Sequence, residues 1–334
     1  MSSCTAAAPA AFSHPLPPSS TALPFSARPQ SLFLSGRKAA VLLLLSLLLL
    51  LRAGMAWAAQ PIPVLATFSL LGDIVAQVGG QRVAVSTLVG ADADAHAFQP
   101  SPADVKAITR ARLVVVNGLG FEGWIERLVR NAAYKGPVLV ASNGIALRKL
   151  PGGGSDTSRT DPHAWQDPAN VAVYVRNIEA ALVQLDADGA TLYHANAGRY
   201  LARLAELDAW AKAQFATIDA AKREVITSHD AFGYLGAHYG IRFLAPQGLS
   251  TESEASARDV AMLVRQIKRN RIKAVFMENM SNPVLIEQLA RDTGVTLGAP
   301  LYADALSRPA GPAPNYLQLM RYNIEQLMKG LRQN

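Results

Sequence analysis

Two segments of the sequence share the pattern Asp-x-His-Ala-aromatic-Gln. The first, "DAHAFQ", contains His96, and the second, "DPHAWQ", contains His163. A third histidine, His229, lies in "SHDAFGY", again close to an alanine and an aromatic residue. A neutral imidazole can bind a metal ion or act as a catalytic base, so these histidines are candidates for either role.

One carboxylate near the end of the chain would complete a metal site with the three histidines. Asp304 lies in "LYADALS", after an apolar run. Three imidazoles and one carboxylate form a full set of four ligands that suits Zn²⁺. The four residues are far apart along the chain, so only the fold can decide whether they meet.

The segments around these residues alternate between short apolar runs and amphipathic patterns, which indicates an α/β fold. We predict strands at residues 63–68, 83–89, 112–118, 137–142, 224–228, 241–245, 273–278 and 295–302. We predict helices at residues 69–79, 102–110, 122–132, 168–186, 189–218, 231–239, 255–270, 283–293 and 314–332. His96, His229 and Asp304 each follow a predicted strand, and ligands of open α/β sheets bind beyond the carboxyl ends of strands.

We therefore expect two open-sheet α/β lobes, joined by a long linking helix, with a metal cleft between the lobes. Residues 59–167 form the predicted N-terminal lobe, residues 168–219 the linking helices and residues 220–334 the C-terminal lobe. The second linking helix has an apolar stripe on one side over about 30 residues, which corresponds to a length of roughly 45 Å.

Residues 1–58 have the features of a secretory signal peptide. A segment without acidic residues ends in a basic pair, the short apolar run "AAVLLLLSLLLLL" follows, and Ala56–Ala58 offers a small-x-small cleavage site. The apolar run is shorter than the about 20 residues that a membrane-spanning helix needs, and an uncleaved anchor is the alternative. We expect a cleaved signal peptide and a periplasmic protein.

The charge of the chain gives no indication of a nucleic-acid partner. The sequence has 32 basic and 25 acidic residues, but four of the basic residues and none of the acidic ones lie in residues 1–58. The remaining formal net charge of +3 is too low to predict a nucleic-acid-binding surface.

The only cysteine, Cys4, precedes the apolar run and is not placed to become a lipidated N-terminus. We expect a monomer without disulfides.

The ordered set of motifs resembles the cluster A-I solute-binding proteins, the zinc and manganese receptors of ABC importers, along nearly all of the mature chain. The segments that carry this resemblance are "DAHAFQPSPADVKAI", "DPHAWQDPAN", "TSHDAFGYLGAHYGI", "LYADALS" and "GLSTESEASARD" (residues 248–259). The resemblance implies that the metal is bound by His96, His163, His229 and Asp304. It also implies a rigid helix between the lobes and a membrane permease as partner.

Departures from the family pattern bear on the metal. Ala95 replaces the proline that usually precedes the first histidine, which loosens the loop but keeps the ligand. Many zinc-binding members have a histidine-rich loop before the second motif, whereas "PGGGSDTSRT" contains no histidine. Some manganese-binding members have glutamate at the third position, and this chain has His229. A nitrogen-rich set favours Zn²⁺, so we expect zinc, with Mn²⁺ as the alternative.

Residues beside the candidate ligands have more than one interpretation. Asp161 could orient His163 by accepting its free N–H, or could cap the loop, whereas Asp167 is expected to cap the following helix. Glu278 could contact the site from a strand end.

Aromatic and other polar residues near the motifs are weaker candidates. Trp165 and Phe98 could shield the metal from water or fill the surface of a lobe. We expect structural or solvated side chains, rather than ligands, at His194, His238, Glu252 and Glu254.

A complete set of four ligands indicates a binding site rather than a catalytic one, because no position is left for a reactive water. We therefore predict a periplasmic receptor, and not an enzyme, that delivers Zn²⁺ to an ABC permease. One alternative is a secreted zinc-dependent hydrolase, although the sequence has no His-Glu-x-x-His motif. Another is a metal-binding, adhesin-like surface protein or a receptor for another solute.

Overall fold

The computed structural model describes residues 40–41, 60–151, 158–252 and 256–334. The chain from Ala59 onwards forms one compact unit. The predicted signal peptide lies outside the described residues, apart from Ala40 and Val41. Within the described ranges, no helix combines the length and apolar character that a membrane crossing requires.

The first lobe is built on a parallel sheet of four strands in the order β2-β1-β3-β4. Its strands are β1 (Ile62–Phe68), β2 (Val83–Val89), β3 (Leu113–Val116) and β4 (Val138–Val140). The central strands β1 and β3 consist mostly of buried apolar residues, as expected for strands covered on both faces. All four strands were predicted from the sequence, with ends that differ by up to two residues.

Three helices connect these strands. They are α1 (Ser69–Gly79), α2 (Pro102–Arg110) and α3 (Ile125–Asn131). The start of α2 is set by a capping box, in which Ser101 and Asp104 satisfy backbone groups at the first turn, and by Pro102 at the first helical position. The predicted beginning of this helix is therefore confirmed.

A short antiparallel pair of strands, which the sequence did not predict, precedes the second histidine motif. Strands β5 (Lys149–Pro151) and β6 (Ser158–Thr160) pair with each other, and residues 152–157 between them lie outside the described ranges. The pairing is followed by a hydrogen bond from the Asp161 N–H to the Arg148 carbonyl at 2.9 Å. This bond brings Arg148 beside the residues that lead to His163.

Two helices link the lobes. Helix α4 (Pro168–Leu185) begins at Asp167, whose carboxylate accepts the Ala169 N–H at 2.8 Å, as predicted for its N-cap. Helix α5 (Ala190–Ala216) has 27 residues, which corresponds to roughly 40 Å. Its buried residues follow the predicted apolar stripe, and it packs against α1 of the first lobe and against the C-terminal helix of the second. The long linking helix expected from the sequence is thus present.

The second lobe has a smaller regular sheet than the sequence predicted. Strands β7 (Glu224–Ile226) and β8 (Arg242–Leu244) are parallel, and the helices are α6 (Gly233–Tyr239), α7 (Ala257–Asn270), α8 (Pro283–Thr293) and α9 (Tyr316–Leu331).

The predicted strands at residues 273–278 and 295–302 are wrong as regular strands, because each forms only isolated bridges, Ile226 to Val275 and Glu278 to Leu301. The Gly298 and Leu301 N–H groups donate to the Val275 and Met277 carbonyls at 2.9 and 2.8 Å, so a step of three residues faces a step of two and the regular register is lost. Both bridges are parallel, so the two segments still run in the same direction as β7, and the Phe276 N–H donates to the Ile226 carbonyl at 2.8 Å. Their carboxyl ends therefore remain at the same edge as the end of β7.

Candidate metal centre

The four predicted ligands come from four different loops that meet between the lobes. His96 lies in the loop after β2, and His163 directly precedes the 3₁₀ turn Ala164–Gln166. His229 follows β7, and Asp304 follows the bridge at Leu301. Because the sheet strands of each lobe are parallel, their carboxyl ends present the loops of His96, His229 and Asp304 towards a common cleft. The His163 loop follows the antiparallel strand β6 instead.

One ligand atom from each of His96, His163, His229 and Asp304 lies within 4.8 Å of all the others. The Nε2 atoms of His96 and His163 are 3.2 Å apart, and the Nε2 atom of His229 is 3.1 Å from Oδ2 of Asp304. Ligands placed about 2.0–2.1 Å from a tetrahedral zinc ion are roughly 3.3 Å from one another. The spacing of this four-residue cluster therefore fits a single ion.

Burial and the charges within the cluster shift the pKa values of two of its members. His163, His229 and Asp304 are fully buried, and His96 is 7% exposed. Burial opposes ionisation of Asp304, but the charges of His229 and His163 outweigh burial and hold the pKa of Asp304 well below its ordinary value. Burial also lowers the pKa of His229, but the carboxylates of Asp304 and Glu278 outweigh it and raise that pKa well above the ordinary value.

One carboxylate oxygen of Asp304 is placed where a cation could bind it. Among the described residues its Oδ1 atom has no hydrogen-bond partner, although it lies 3.8 Å from Nε2 of His163. A buried carboxylate oxygen without a partner is costly. A metal ion bound to the cluster would interact with this oxygen and with the imidazole nitrogens at the same time.

Asp161 holds the orientation of His163. Its Oδ1 atom accepts a hydrogen bond from the His163 backbone N–H at 3.0 Å and lies 2.8 Å from Nδ1 of the same ring. Its Oδ2 atom accepts from the Arg148 guanidinium at 2.8 Å. With the proton of neutral His163 placed on Nδ1, the lone pair of Nε2 faces the cluster, as metal binding requires. Of the two roles open for Asp161, the structure shows the orienting one.

Glu278 lies beside His229, but farther from its ring than Asp161 lies from that of His163. Its Oε2 atom is 3.4 Å from Nδ1 of His229 and accepts from the Ser281 hydroxyl at 2.8 Å. Its Oε1 atom accepts the Ser228 N–H at 2.9 Å. The carboxylate therefore fixes the backbone that carries His229 as well as facing its ring.

Aromatic residues form a wall around two of the histidines. Phe121 contacts His96 with 4.7 Å between the ring centroids, and Trp165 contacts His163 at 5.4 Å. Trp165 is fully buried and donates from Nε1 to the Ala303 carbonyl at 2.9 Å, so it is a fixed part of the wall. Phe98 instead packs on Trp124, with 4.8 Å between the ring centroids.

Phe121 was not among the residues predicted from the sequence to lie at the site. The residue lies in "NGLGFEGW", directly after β3. Position at the carboxyl end of a predicted strand, which drew attention to three of the ligands, would also have identified this segment.

The remaining polar candidates lie outside the cluster. His238 is placed between two carboxylates, with Nδ1 3.1 Å from Asp167 and Nε2 2.7 Å from Asp208. His194 pairs with Glu179, with 2.5 Å between Nδ1 and Oε1. Glu252 is exposed; Glu254 lies outside the described residues.

The sequence matches one family of known proteins. The family model described as zinc-uptake complex component A, periplasmic, matches residues 64–330. The manganese-binding lipoprotein MntA of Halalkalibacterium halodurans is 33% identical over 82% of this chain and 90% of its own length. The iron-binding protein YfeA of Yersinia pestis is 31% identical over 82% of this chain and 88% of its own length.

Solved structures show the same architecture. The Mn-bound periplasmic metal binding protein from Candidatus Liberibacter asiaticus superimposes with a TM-score of 0.72 at 32% identity, over 81% of this chain and 99% of that one. The periplasmic zinc binding protein TroA of Treponema pallidum gives a TM-score of 0.76 at 26% identity, again over 81% and 99%. With a family model that spans most of its length and these relatives, the chain belongs to the cluster A-I substrate-binding proteins of metal ABC transporters.

Proposed function

We propose that this protein is a periplasmic receptor that binds one Zn²⁺ ion through His96, His163, His229 and Asp304 and delivers it to an ABC permease. The observation that carries the proposal is the buried cluster, in which three imidazoles and one carboxylate approach within 4.8 Å of one another. Family membership supports a membrane permease as the partner.

Zinc is the proposed substrate because nitrogen donors outnumber oxygen donors in the cluster. The relatives are described as binding manganese, iron or zinc, so kinship alone does not select the metal. Mn²⁺ is the alternative substrate. It would make more use of the carboxylate oxygens, including Oδ1 of Asp304, for which the described part of the chain offers no hydrogen-bond donor.

The site does not have the properties of a hydrolase. The family consists of substrate-binding proteins rather than enzymes. Three imidazoles and one carboxylate are enough to fill the coordination of zinc, whereas a catalytic zinc keeps a position open for water. A role in metal capture and release therefore accounts for the cluster better than the hydrolase or adhesin-like alternatives do.

Export to the periplasm is proposed from residues 1–58, which have the sequence features of a cleaved signal peptide. Several relatives are described as lipoproteins. In this chain Cys4 stands before the apolar run, so we propose cleavage after Ala58 without lipid attachment. We also propose the lobe boundaries given above, with the linking helices at residues 168–219.

The proposal predicts a metal-dependent rise in thermal stability. A ligand at 100 times its dissociation constant stabilises the folded state by about 2.7 kcal/mol. The purified protein, stripped of metal with a chelator, should therefore melt several degrees higher when Zn²⁺ is added, whereas Mg²⁺ should have no effect. An unchanged melting temperature with both Zn²⁺ and Mn²⁺ would contradict a metal receptor.

A further inference from the structure

A loop of the second lobe connects two of the ligand segments. This 247–252 loop overlaps the motif "GLSTESEASARD", which the site described above does not use. At one end the loop lies along the His229 segment, since the Asp230 N–H donates to the Gly248 carbonyl at 3.1 Å. At the other end the Thr251 hydroxyl donates to Oδ2 of Asp94 at 2.7 Å. The loop therefore spans from the third ligand to the first-ligand loop of the other lobe.

Asp94 links Thr251 to the backbone at His96. Its second oxygen, Oδ1, accepts hydrogen bonds from the backbone N–H groups of His96 at 2.8 Å and Ala97 at 3.4 Å. One carboxylate thus holds the backbone at the first ligand and the hydroxyl of Thr251. Hydrogen bonds to an ionised acceptor are stronger than those between neutral groups.

A second contact crosses between the lobes close by. Asp92 accepts from the Asn279 side chain at 2.9 Å, and its backbone N–H donates to the Leu306 carbonyl at 2.9 Å. With this contact fixing one end of the first-ligand loop, Thr251 fixes the part next to His96.

Solvent reaches the cluster from the side of His96. A cleft of about 1150 Å³ borders the site, and its lining includes His96, Phe121, Pro162 and Ser250. His96 is the only member of the cluster that lines this cleft, and the other three members have no exposed surface. An ion that leaves through the cleft must therefore pass His96, and displacement of the His96 loop opens the way.

We propose that Thr251 is a positioning residue that latches the His96 loop and slows the dissociation of the bound metal. The inference rests on the proposed function, because it assigns a kinetic role at the same site. Loss of the hydroxyl frees Oδ2 of Asp94 from the second lobe, while the bonds from Asp94 to the His96 backbone are kept. The first-ligand loop then moves away from the other ligands more often.

The test compares dissociation rates of Zn²⁺ from wild-type protein and from Thr251→Val, which replaces the hydroxyl with a methyl group of similar size. Zinc-loaded protein is mixed with excess chromophoric chelator in a stopped-flow instrument. Thr251→Val should release Zn²⁺ about tenfold faster, equivalent to about 1.4 kcal/mol. Thr251→Ser, which keeps the hydroxyl, should release it at a rate close to that of the wild type.

Thr109→Val is the matched control. Thr109 is an exposed residue of α2 whose hydroxyl donates to the Lys106 carbonyl at 2.9 Å, within its own helix, so the same substitution there should leave the rate unchanged. If Thr251→Val does not fold, as judged by near-ultraviolet circular dichroism, Thr251→Ala provides the same comparison.

The outcomes separate the latch from the proposed function. A wild-type protein that holds Zn²⁺ together with a Thr251→Val variant that releases it at the wild-type rate would overturn the latch alone. Equal acceleration in Thr251→Val and Thr251→Ser would also overturn it, because the hydroxyl would then have no specific role. A wild-type protein that holds neither Zn²⁺ nor Mn²⁺ would overturn the proposed function and the latch together.

Discussion

Each of the two Asp-x-His motifs uses its aspartate to hold the histidine two residues later. Asp94 accepts the backbone N–H of His96, and Asp161 accepts that of His163. The repeated sequence pattern therefore reflects a repeated local structure, which made these histidines recognisable as a pair. The outer partners differ, because Asp94 contacts Thr251 and Asp161 contacts Arg148.

Those outer partners could not be predicted from the motifs. Thr251 is 157 residues from Asp94 in the sequence, and Arg148 is 13 residues from Asp161. Neither separation matches a helical or strand period, so only the folded chain brings the partners together. For the same reason the sequence left the role of Asp161 open between orienting and capping.

Substitution of a cluster residue should weaken metal binding, and substitution of a histidine outside the cluster should not. His163→Ala removes one donor and should raise the dissociation constant for Zn²⁺ by about 100-fold or more, since even the partners of metal ligands contribute 10–100-fold. His238→Ala removes a histidine that contacts Asp167 and Asp208 and should leave affinity within about twofold. Isothermal titration calorimetry measures both constants.

The two variants are matched because each loses one imidazole. Similar losses of affinity in both would show that the assignment of His163 to the site is wrong. A lower melting temperature of metal-free His238→Ala, with normal affinity, would agree with its position between helices α4, α5 and α6.

At the scale of elements, hydrophobic pattern was sufficient for the four-stranded sheet of the first lobe and for the linking helices, but it missed the short β5–β6 pair. Buried apolar runs identified β1 and β3, and the Ser101 cap and Pro102 marked the start of α2. The pattern was less reliable in the second lobe, where apolar segments lie beside β7 without forming regular ladders. Apolar composition reports burial, whereas ladder formation also needs free N–H groups in register.

One ion pair connects the first lobe to the turn between the linking helices, and its effect should depend on pH. Arg82 donates two hydrogen bonds to Asp186, both at 2.7 Å. The bond from Arg82 is the main cause that lowers the pKa of Asp186 below its ordinary value of 3.8. A carboxylate with a lowered pKa contributes stability above the unfolded-state pKa and loses it as the pH falls through the folded-state pKa.

Arg82→Met should therefore lower the free energy of unfolding at pH 7, and its difference from the wild type should shrink as the pH falls below about 4. Urea denaturation at pH 7 and at pH 3 measures this difference. Arg130→Met removes an exposed pair with Glu126 on one helix and should change stability little at either pH. A difference for Arg82→Met that is the same at both pH values would rule out the ion pair as its cause.

At the scale of the whole molecule, the second lobe holds the loop of the first lobe that carries His163. The Ala303 carbonyl accepts from Trp165 at 2.9 Å and from the Gln166 side chain at 2.8 Å, and the Tyr316 hydroxyl donates to the Trp165 carbonyl at 2.7 Å. These bonds lie next to His163 on one side and Asp304 on the other. The positions of His163 and Asp304 thus depend on the packing of both lobes.

The alternation of strands and helices predicted two α/β lobes, and the carboxyl ends of their strands predicted where ligands gather. Convergence of His96, His163, His229 and Asp304 to within 4.8 Å could not be derived from spacing along the chain. It depends on how the lobes pack, and the contact between α5 and α9 contributes to that packing. The set of four ligands was therefore predictable from the resemblance to the family, and not from spacing alone.

The most direct test of the site is a crystal structure of the zinc-loaded protein with diffraction data collected on both sides of the zinc absorption edge. The account predicts one strong anomalous peak inside the cluster, with nitrogen ligands at about 2.0–2.1 Å and a carboxylate oxygen at about 2.0–2.2 Å. Three of the ligands should be imidazoles and the fourth Asp304. A fully loaded crystal whose anomalous peak lies away from these four side chains would contradict the account.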